Sequence, residues 1–575
     1  MKFFSFLPTI FQSFTISISI SIFLLFCQLP TPNPSSMTPA KEIEKTYQYT
    51  KQISAIKIQM EKTYLYPNDL DNPNAYITAA VYATETLDHH ILFPKTFYLK
   101  YKDTIRGNVL QEGKLTDVVI IQNPNLEDPI MDSDEVLLQL NDAFAKLSFN
   151  RDNLEDVMEV LYNQVFAKTA NKVVNVSWSE IEFSASEGYV SNFLKSSLIQ
   201  TRNYEELLKP QTIFSIDLPL TETKTKQKII TSLSNTSQLK QFGIQKNDEI
   251  LTINGKSIRY LSLRKIYPMF NGKLGESVKL KIKRNLNQTF LVEIPFLESK
   301  PNENTKLVSG KIWKGQSNIL QIKVNGFTKG IEKTATDLIK ETYLVAMADA
   351  KQKDIPIQGI ILDLRDNTGG YLDLIIECMR MFIPKGLLVT TKIGKRAPNE
   401  IYGNGSSITD LPLVVLINEN TGSGSELIAG TVRLQKRGFI FGSKSTGQGI
   451  VHSMQKLNSY DSIILKITTS YLYLPNGKIF HGNGIEPDIW ISDEANVKMK
   501  FPESFPSQLT NISKEGKNEN SSIAPLDSTK LSLWVETYGT AKQTIQKESK
   551  QGLTPDYQLL HSLDVFDGIL ANQTK

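Results

Sequence analysis

The sequence predicts a multidomain α+β protein with a helical N-terminal region, a β domain, an α/β core and a partly helical C-terminal tail. Three observations predict it. A chain of 575 residues has room for three or four domains. Between Glu249 and Arg284, apolar and polar residues alternate along two runs, and the first run ends at Asn254-Gly255, a hairpin signal. From Leu362 to Val432, apolar runs break into small-residue turns and are followed by segments of helical character, the pattern of an α/β sheet. The expected boundaries are 41–210 for the helical region, 211–298 for the β domain, 299–495 for the core and 496–575 for the tail.

Ahead of these, Lys2 is the only charged residue before Lys41, and Phe3 to Phe26 is apolar apart from interspersed Ser, Thr, Gln and Pro. That reads as a secretory signal over 1–27. Its strongest run, Ile16 to Phe26, is short and interrupted by serine, which argues against a permanent membrane anchor. Leu24-Leu25-Phe26-Cys27 resembles a bacterial lipobox, with bulky Phe26 in place of the usual small residue, and makes Cys27 a candidate lipidation site. Pro30, Pro32, Pro34, Ser35 and Ser36 form a linker over 28–40. The other cysteine, Cys378, then has no intramolecular partner, and its apolar surroundings suit a buried structural thiol. The expected location is a bacterial periplasm or envelope, with a lipidated N-terminus as the route to the membrane. A formal net charge of +4, dispersed along the chain, gives no argument for nucleic acid.

In the β domain, Phe242 to Gly255 combines a turn, an alternating strand and the Asn-Gly signal. A helix is expected near Leu261 to Phe270, then a period-two strand over Gly275 to Arg284. This arrangement resembles a PDZ domain, and the resemblance implies capture of an extended peptide by strand addition. The peptide-binding candidates it implies are Ile213, Phe214, Ser215 and Ile216, in the loop where the peptide's carboxylate would sit. The glycines used there are missing and Asp217 would repel an anionic terminus, so a domain that only braces or gates the core stands as the alternative.

In the core, Leu362-Asp363-Leu364-Arg365-Asp366-Asn367-Thr368-Gly369-Gly370 reads as a buried strand ending in a glycine turn. Leu413 to Asn418 is a second strand, running into Thr421-Gly422-Ser423-Gly424-Ser425-Glu426 and an apolar segment from Leu427 to Val432. A small-residue turn between strand and helix can present a serine hydroxyl beside free N–H groups at the helix start. Ser423 is the candidate nucleophile, although turns also use Gly and Ser for conformational reasons alone. Asp363 and Arg365 read as a structural ion pair at the strand end.

Three blocks then carry a family resemblance: Leu362 to Gly370, Thr421 to Glu426, and Tyr473 to Lys478 with Gly484-Ile485-Glu486-Pro487-Asp488. In this order they resemble the carboxyl-terminal processing, or tail-specific, serine proteases, with Thr368 standing where the family has proline. The resemblance implies Ser423 as nucleophile, with Gly424 and either Gly369 or Gly370 as oxyanion donors. It also exposes a departure. Where the family carries Gly-Lys-Gly with a lysine base and an orienting glutamine four residues on, this chain has Gly447-Gln448-Gly449 and then His452. An amide takes up no proton near neutral pH, and losing a positioned base costs about 10²–10⁴-fold. His452 is the candidate replacement base, because an unperturbed imidazole is already mostly neutral at neutral pH; Lys444 on the same loop is a second.

The expected function is therefore an exported serine-type endopeptidase acting on flexible ends of proteins or peptides. The alternative is a pseudoprotease that binds peptides or serves as a scaffold because Gln448 replaces the base, and a third reading has an activating partner complete the site. No cofactor is expected. His89 and His90 are adjacent and the remaining three histidines scattered, which is not metal-ligand spacing, and no phosphate-cradling glycine loop occurs. Lys62 to Asp88 and Ala167 to Leu198 each resemble the helical segment that precedes the PDZ domain in these proteases, as a duplication or as two unrelated stretches. Beyond Asp488, Lys514 to Ser522 reads as loose and Leu531 to Leu570 as helical, and Asp556-Tyr557-Gln558-Leu559 resembles the family's closing segment.

Overall fold

The computed structural model describes residues 47–573 apart from 88, 127, 129, 132, 167–175, 201–213, 217, 224, 232, 234–237, 274, 285–287, 297–305, 331, 393–396, 458–459, 495–497, 503–526 and 552–554. The expected signal with Cys27, the linker, Ile213, Asp217 and the stretch Lys514 to Ser522 lie outside the described residues. No helix among the described residues is long and apolar enough to cross a membrane.

The N-terminal region contains α1 (Lys51–Thr63), α2 (Pro73–Thr86), β1 (His90–Pro94), α3 (Lys95–Ile105), β2 (Asn108–Val109), β3 (Val118–Gln122), α4 (Asp134–Ala145), α5 (Arg151–Phe166), α6 (Trp178–Val190) and β4 (Ser197–Gln200). The region is mainly helical and also holds one small sheet, β1-β3-β2. Its centre is Val118-Val119-Ile120-Ile121, a buried β-branched run too short to show a period. Helix α2 packs against α6 at Gly188, where an added Cβ would lie 2.6 Å from the Thr78 carbonyl oxygen. Ser177 starts α6, its N–H donating to Glu180 at 2.7 Å and so closing the first turn.

The next module holds β5 (Phe214–Ser215), β6 (Leu220–Glu222), β7 (Lys228–Ile230), β8 (Glu249–Ile253), β9 (Lys256–Ser257), the short helix α7 (Leu263–Ile266), β10 (Asn271–Gly272), β11 (Ser277–Arg284) and β12 (Gln288–Pro295). Its main sheet runs β12-β11-β8-β7-β6, with β9 on β8. Asn254 and Gly255 form the two-residue turn between β8 and β9, with φ of 50° and 80°, as a type I′ hairpin requires. Along β11, Val278, Leu280 and Ile282 are buried while Lys279 and Lys281 are exposed, so the period-two pattern sets which face meets the core.

The core is a seven-stranded sheet of order β13-β14-β15-β18-β19-β22-β23. Its strands are β13 (Val308–Lys314), β14 (Asn318–Val324), β15 (Gly359–Asp363), β18 (Leu413–Ile417), β19 (Gly438–Gly442), β22 (Ile489–Ile491) and β23 (Met499–Lys500). The strands from β14 to β22 are parallel, joined through α8 (Ala335–Gln352), α9 (Leu372–Phe382) and α10 (Gly424–Leu434). Both faces are covered, which explains why β15, β18 and β19 read as unbroken apolar runs. Ile360, Leu362, Leu413, Val415 and Ile417 join one apolar cluster with α8, α9 and α10. Ile361, Val414 and Leu416 point the other way, into a cluster with α11 (Ser528–Tyr538), α12 (Ala541–Lys550) and α13 (Tyr557–Gln573). The C-terminal helices thus form a second layer on the core sheet.

A second sheet, β17-β16-β21-β20, comprises β16 (Leu387–Thr391), β17 (Asn399–Tyr402), β20 (Ile450–Leu457) and β21 (Tyr460–Tyr473). Strand β4 pairs with β21, from Ser197 opposite Lys466 to Gln200 opposite Ile463. Leu457, Ile463, Leu465 and Ile467 of this hairpin are buried in the same cluster as α1, α2, α5 and α6. The helical region and the core therefore share apolar contacts that no composition shift in the sequence announces.

At the carboxyl end of β15, Asp363 is fully buried and is held by Arg365 Nε and Nη2 at 2.9 and 2.7 Å, by Gln321 Nε2 at 2.9 Å and by Lys323 Nζ at 3.4 Å. Arg365 also grips Asp556 through Nη1 and Nη2, both at 2.7 Å, so the ion pair read from sequence ties the glycine turn to the start of α13. Burial would raise the Asp363 carboxyl, but Arg365 and Lys323 overcome it and hold the group well below the usual carboxylate range. A depressed carboxyl adds stability that is complete above its unfolded value and is lost as pH falls through the folded one. Arg365→Leu is expected to lower the unfolding free energy at neutral pH by about 3–5 kcal/mol, read from urea denaturation, because it strands a buried charge.

Candidate active site

The two turns named from sequence meet at the carboxyl ends of the adjacent parallel strands β15 and β18, where α/β sheets open a crevice. They are laced together. Asp366 N–H donates to Asn418 Oδ1 at 2.9 Å, Gly422 N–H to the Asn367 carbonyl at 3.0 Å, and Thr421 Oγ1 to the Leu364 carbonyl at 2.9 Å.

Ser423 sits between β18 and α10 with φ 51° and ψ −117°, a conformation that non-glycine residues rarely adopt. Such strain is characteristic of a nucleophile held on a strand-to-helix elbow. The following residue cannot carry a side chain, since a Cβ on Gly424 would lie 2.4 Å from Ile375 Cγ1. Gly424 is the first residue of α10, so its N–H has no carbonyl one turn earlier in the helix to bond. Gly369 faces the same spot, where a Cβ would meet Gly424 N at 2.8 Å and Ser423 Cβ at 2.9 Å.

The geometry separates the two glycines of the first turn. Gly369 N–H donates to Asn367 Oδ1 at 2.9 Å and is occupied. Gly370, with φ 148°, lies against Phe327, and its N–H has no partner among the described residues. As oxyanion donors, Gly424 and Gly370 have amides to offer, and Gly369 instead supplies the room that lets the turns approach.

Glu426, quoted only as part of a motif in the sequence, is the organising side chain. It is fully buried. Its Oε2 accepts from Ser423 N–H at 2.8 Å and Gln448 N–H at 2.7 Å, and its Oε1 from Gly447 N–H and Ser445 Oγ, both at 2.6 Å. One carboxylate oxygen thus bridges the Ser423 turn and the Gln448 loop. Burial raises the Glu426 carboxyl above its ordinary range, against the pull of those four donors. The third motif supports this loop from behind. Ile485 N–H donates to Ser445 Oγ at 2.7 Å, Gly482 N–H to the Gly447 carbonyl at 2.8 Å, and Asp488 accepts from Ile440 N–H at 2.8 Å.

Comparison with known proteins finds a match to peptidase family S41 over residues 318–491, from β14 to the end of β22. Over these residues the core resembles peptidase family S41. A relative from Staphylococcus haemolyticus named "Probable CtpA-like serine protease" is 31% identical over 281 residues, 47% of this chain and 51% of that protein. One of the same name from Staphylococcus aureus strain bovine RF122 is 25% identical over 346 residues, 60% of this chain and 65% of that protein. The chain spans about half the length of the first of these relatives. Among solved structures, a photosystem II D1 C-terminal processing protease overlaps 57% of this chain and 84% of its own at 19% identity and a TM-score of 0.42.

Within this core, Gln448 is partly exposed between Gly447 and Gly449, its backbone N–H fixed by Glu426. Lys444 pairs with Glu486 at 2.6 Å on the surface, so its ammonium is engaged there. His452 lies on β20 opposite Thr468, with Nδ1 3.1 Å from Thr468 Oγ1. Thr468 Oγ1 donates its single proton to the Leu194 carbonyl and can only accept from the ring. The ring proton therefore belongs on Nδ1, which leaves Nε2 as the proton acceptor. Burial, followed by the charges of Lys466 and Lys195, pushes His452 down to about 4. No hydrogen bond joins Ser423 to His452 in this structure.

The peptide-binding candidates fall at one edge of the β module. Phe214 and Ser215 form β5 against β10, and Ile216 lines a cleft that faces α6. Among the described residues, no group of His, Cys, Asp and Glu could hold a metal ion. Cys378 is buried in α9, and its thiol is pushed above its ordinary range by that burial.

Proposed function

We propose that the chain is an exported serine-type endopeptidase of the C-terminal processing type, cleaving flexible ends of proteins or peptides at Ser423. The observation that carries the reading is the strained Ser423 elbow, tied through one Glu426 oxygen to the Gln448 loop and packed against the Gly369 turn. In this reading Ser423 Oγ attacks the scissile carbonyl carbon while its proton passes to His452 Nε2. The oxyanion is held by the Gly424 and Gly370 amides. The C–N bond breaks as His452 returns the proton to the leaving amine, and water then releases the acyl group by the same path with His452 as base. The PDZ-like β module is the natural place for substrate capture.

Cleavage of a reduced, unstructured protein by the full chain, followed by mass spectrometry across pH, tests this. With His452 as base, kcat/KM holds through mildly acidic pH and falls as pH drops through about 4, where the ring gains its second proton. His452→Ala is expected to remove about 10²–10⁴ of the rate. An acid limb at the ordinary histidine value of about 6.5 would dismiss His452 in this environment.

Gln448 supports a second reading, a peptide-binding pseudoprotease. Silence of the full chain at every pH, with binding retained, selects it and leaves an activating partner as the only route to turnover.

A further inference from the structure

A large cleft lies away from Ser423, between the helical region and the β module. It measures about 1060 Å³, above the range of ordinary small-molecule pockets. One wall is the β module, with Ile216, Leu218, Leu263 and Tyr267. The other belongs to the N-terminal region, with Tyr82 and Phe183 giving apolar surface. Along the rim run Ser197 and Gln200, the two ends of β4.

Among the described residues, strand β4 is an edge. It pairs with β21 on one side, and on the other no strand is paired to it among the described residues. An edge strand offers a row of main-chain donors and acceptors to an incoming extended chain. Ser197 and Gln200 of this strand line a cleft with apolar side chains on both walls, bringing main-chain register beside side-chain pockets as strand addition requires. The same β4 is continuous through β21 with β20, which carries His452.

We propose that this composite cleft binds an extended polypeptide with alternating apolar side chains, which adds as a strand to the side of β4 that no described strand occupies and is gripped from both walls. The ligand class rests on the peptidase reading, and strand addition to β4 does not depend on turnover. The arrangement differs from capture by the β module alone, because Phe183 and β4 from the helical region share the contact.

The test uses the full chain carrying Ser423→Ala, so that binding is read without cleavage. The probe is a fluorescein-labelled peptide of alternating valine and threonine with lysine at each end, titrated by fluorescence anisotropy. Phe183→Glu and Leu263→Glu are each expected to weaken Kd by about tenfold, since each removes apolar contact from one wall. Leu344→Glu, on an exposed position of α8, is expected to leave Kd unchanged. Amide hydrogen exchange supplies the second readout, with Ser197 to Gln200 gaining protection when the peptide saturates the chain. The proposal is overturned if the probe does not bind, if only Leu263→Glu weakens it, or if the β4 amides exchange at the same rate with and without peptide. Absence of cleavage by the parent chain, with peptide binding by Ser423→Ala intact, would instead fail the endopeptidase reading and leave this one standing.

Discussion

Ser423→Ala is expected to reduce cleavage of an unstructured protein to background, a loss of about 10⁴-fold or more, with folding unaffected. The alanine keeps Cβ and loses only Oγ, so the Ser423 N–H bond to Glu426 at 2.8 Å and the elbow it fixes survive. The variant is the control that separates this chain's chemistry from contaminating proteases. Fragments that appear at equal rate with parent and variant would remove Ser423 from the chemistry, whatever its backbone strain.

Gln448→Lys is expected to raise kcat by about 10²–10⁴-fold over the parent, read as initial rates on the same substrate. Three features favour the gain. The backbone at this position is already fixed by Glu426 at 2.7 Å, the side chain is partly exposed and has room to lengthen, and its loop shares a carboxylate oxygen with the nucleophile turn. Partial burial beside a serine would lower the amine toward a useful range. A large gain means that the rest of the site is competent and only the base was lost. No gain, with folding intact, would show that His452 on β20 and its neighbours have rearranged the cleft beyond repair by one residue.

Much of the fold was legible because it follows local rules. Asn254-Gly255 needs positive φ at both positions and marked its hairpin, and the alternation of Val278, Leu280 and Ile282 fixed the buried face of its strand. The glycine turns were legible for the same reason, since close approach leaves no room for a side chain at Gly369 or Gly424. What sequence did not reveal depends on partners far along the chain. Glu426 stood in plain view in its motif, but its role needs Ser445, Gly447 and Gln448 folded back onto it. Likewise Asp556 was noted as a closing segment, and only the fold brings it to Arg365 across 191 residues. The choice between Gly369 and Gly370 as donor turns on the Asn367 side chain, whose direction no spacing encodes. The short β1-β3-β2 sheet was missed because strands of two to five residues carry too little periodicity to separate from helix.

The grip of Arg365 on Asp556 has a consequence for the order in which the molecule is made. A chain is synthesised from its N-terminus, and domains generally fold as they emerge. Here the sheet's second apolar face, with Ile361, Val414 and Leu416, stays bare until residues 528–573 arrive. The turn bearing Gly369 and Gly370 waits for the same residues to complete its charge pairing. The crevice between the two turns is therefore completed only once residues 528–573 have been made, so a shorter chain would hold Ser423 beside a turn whose charge pairing is unfinished.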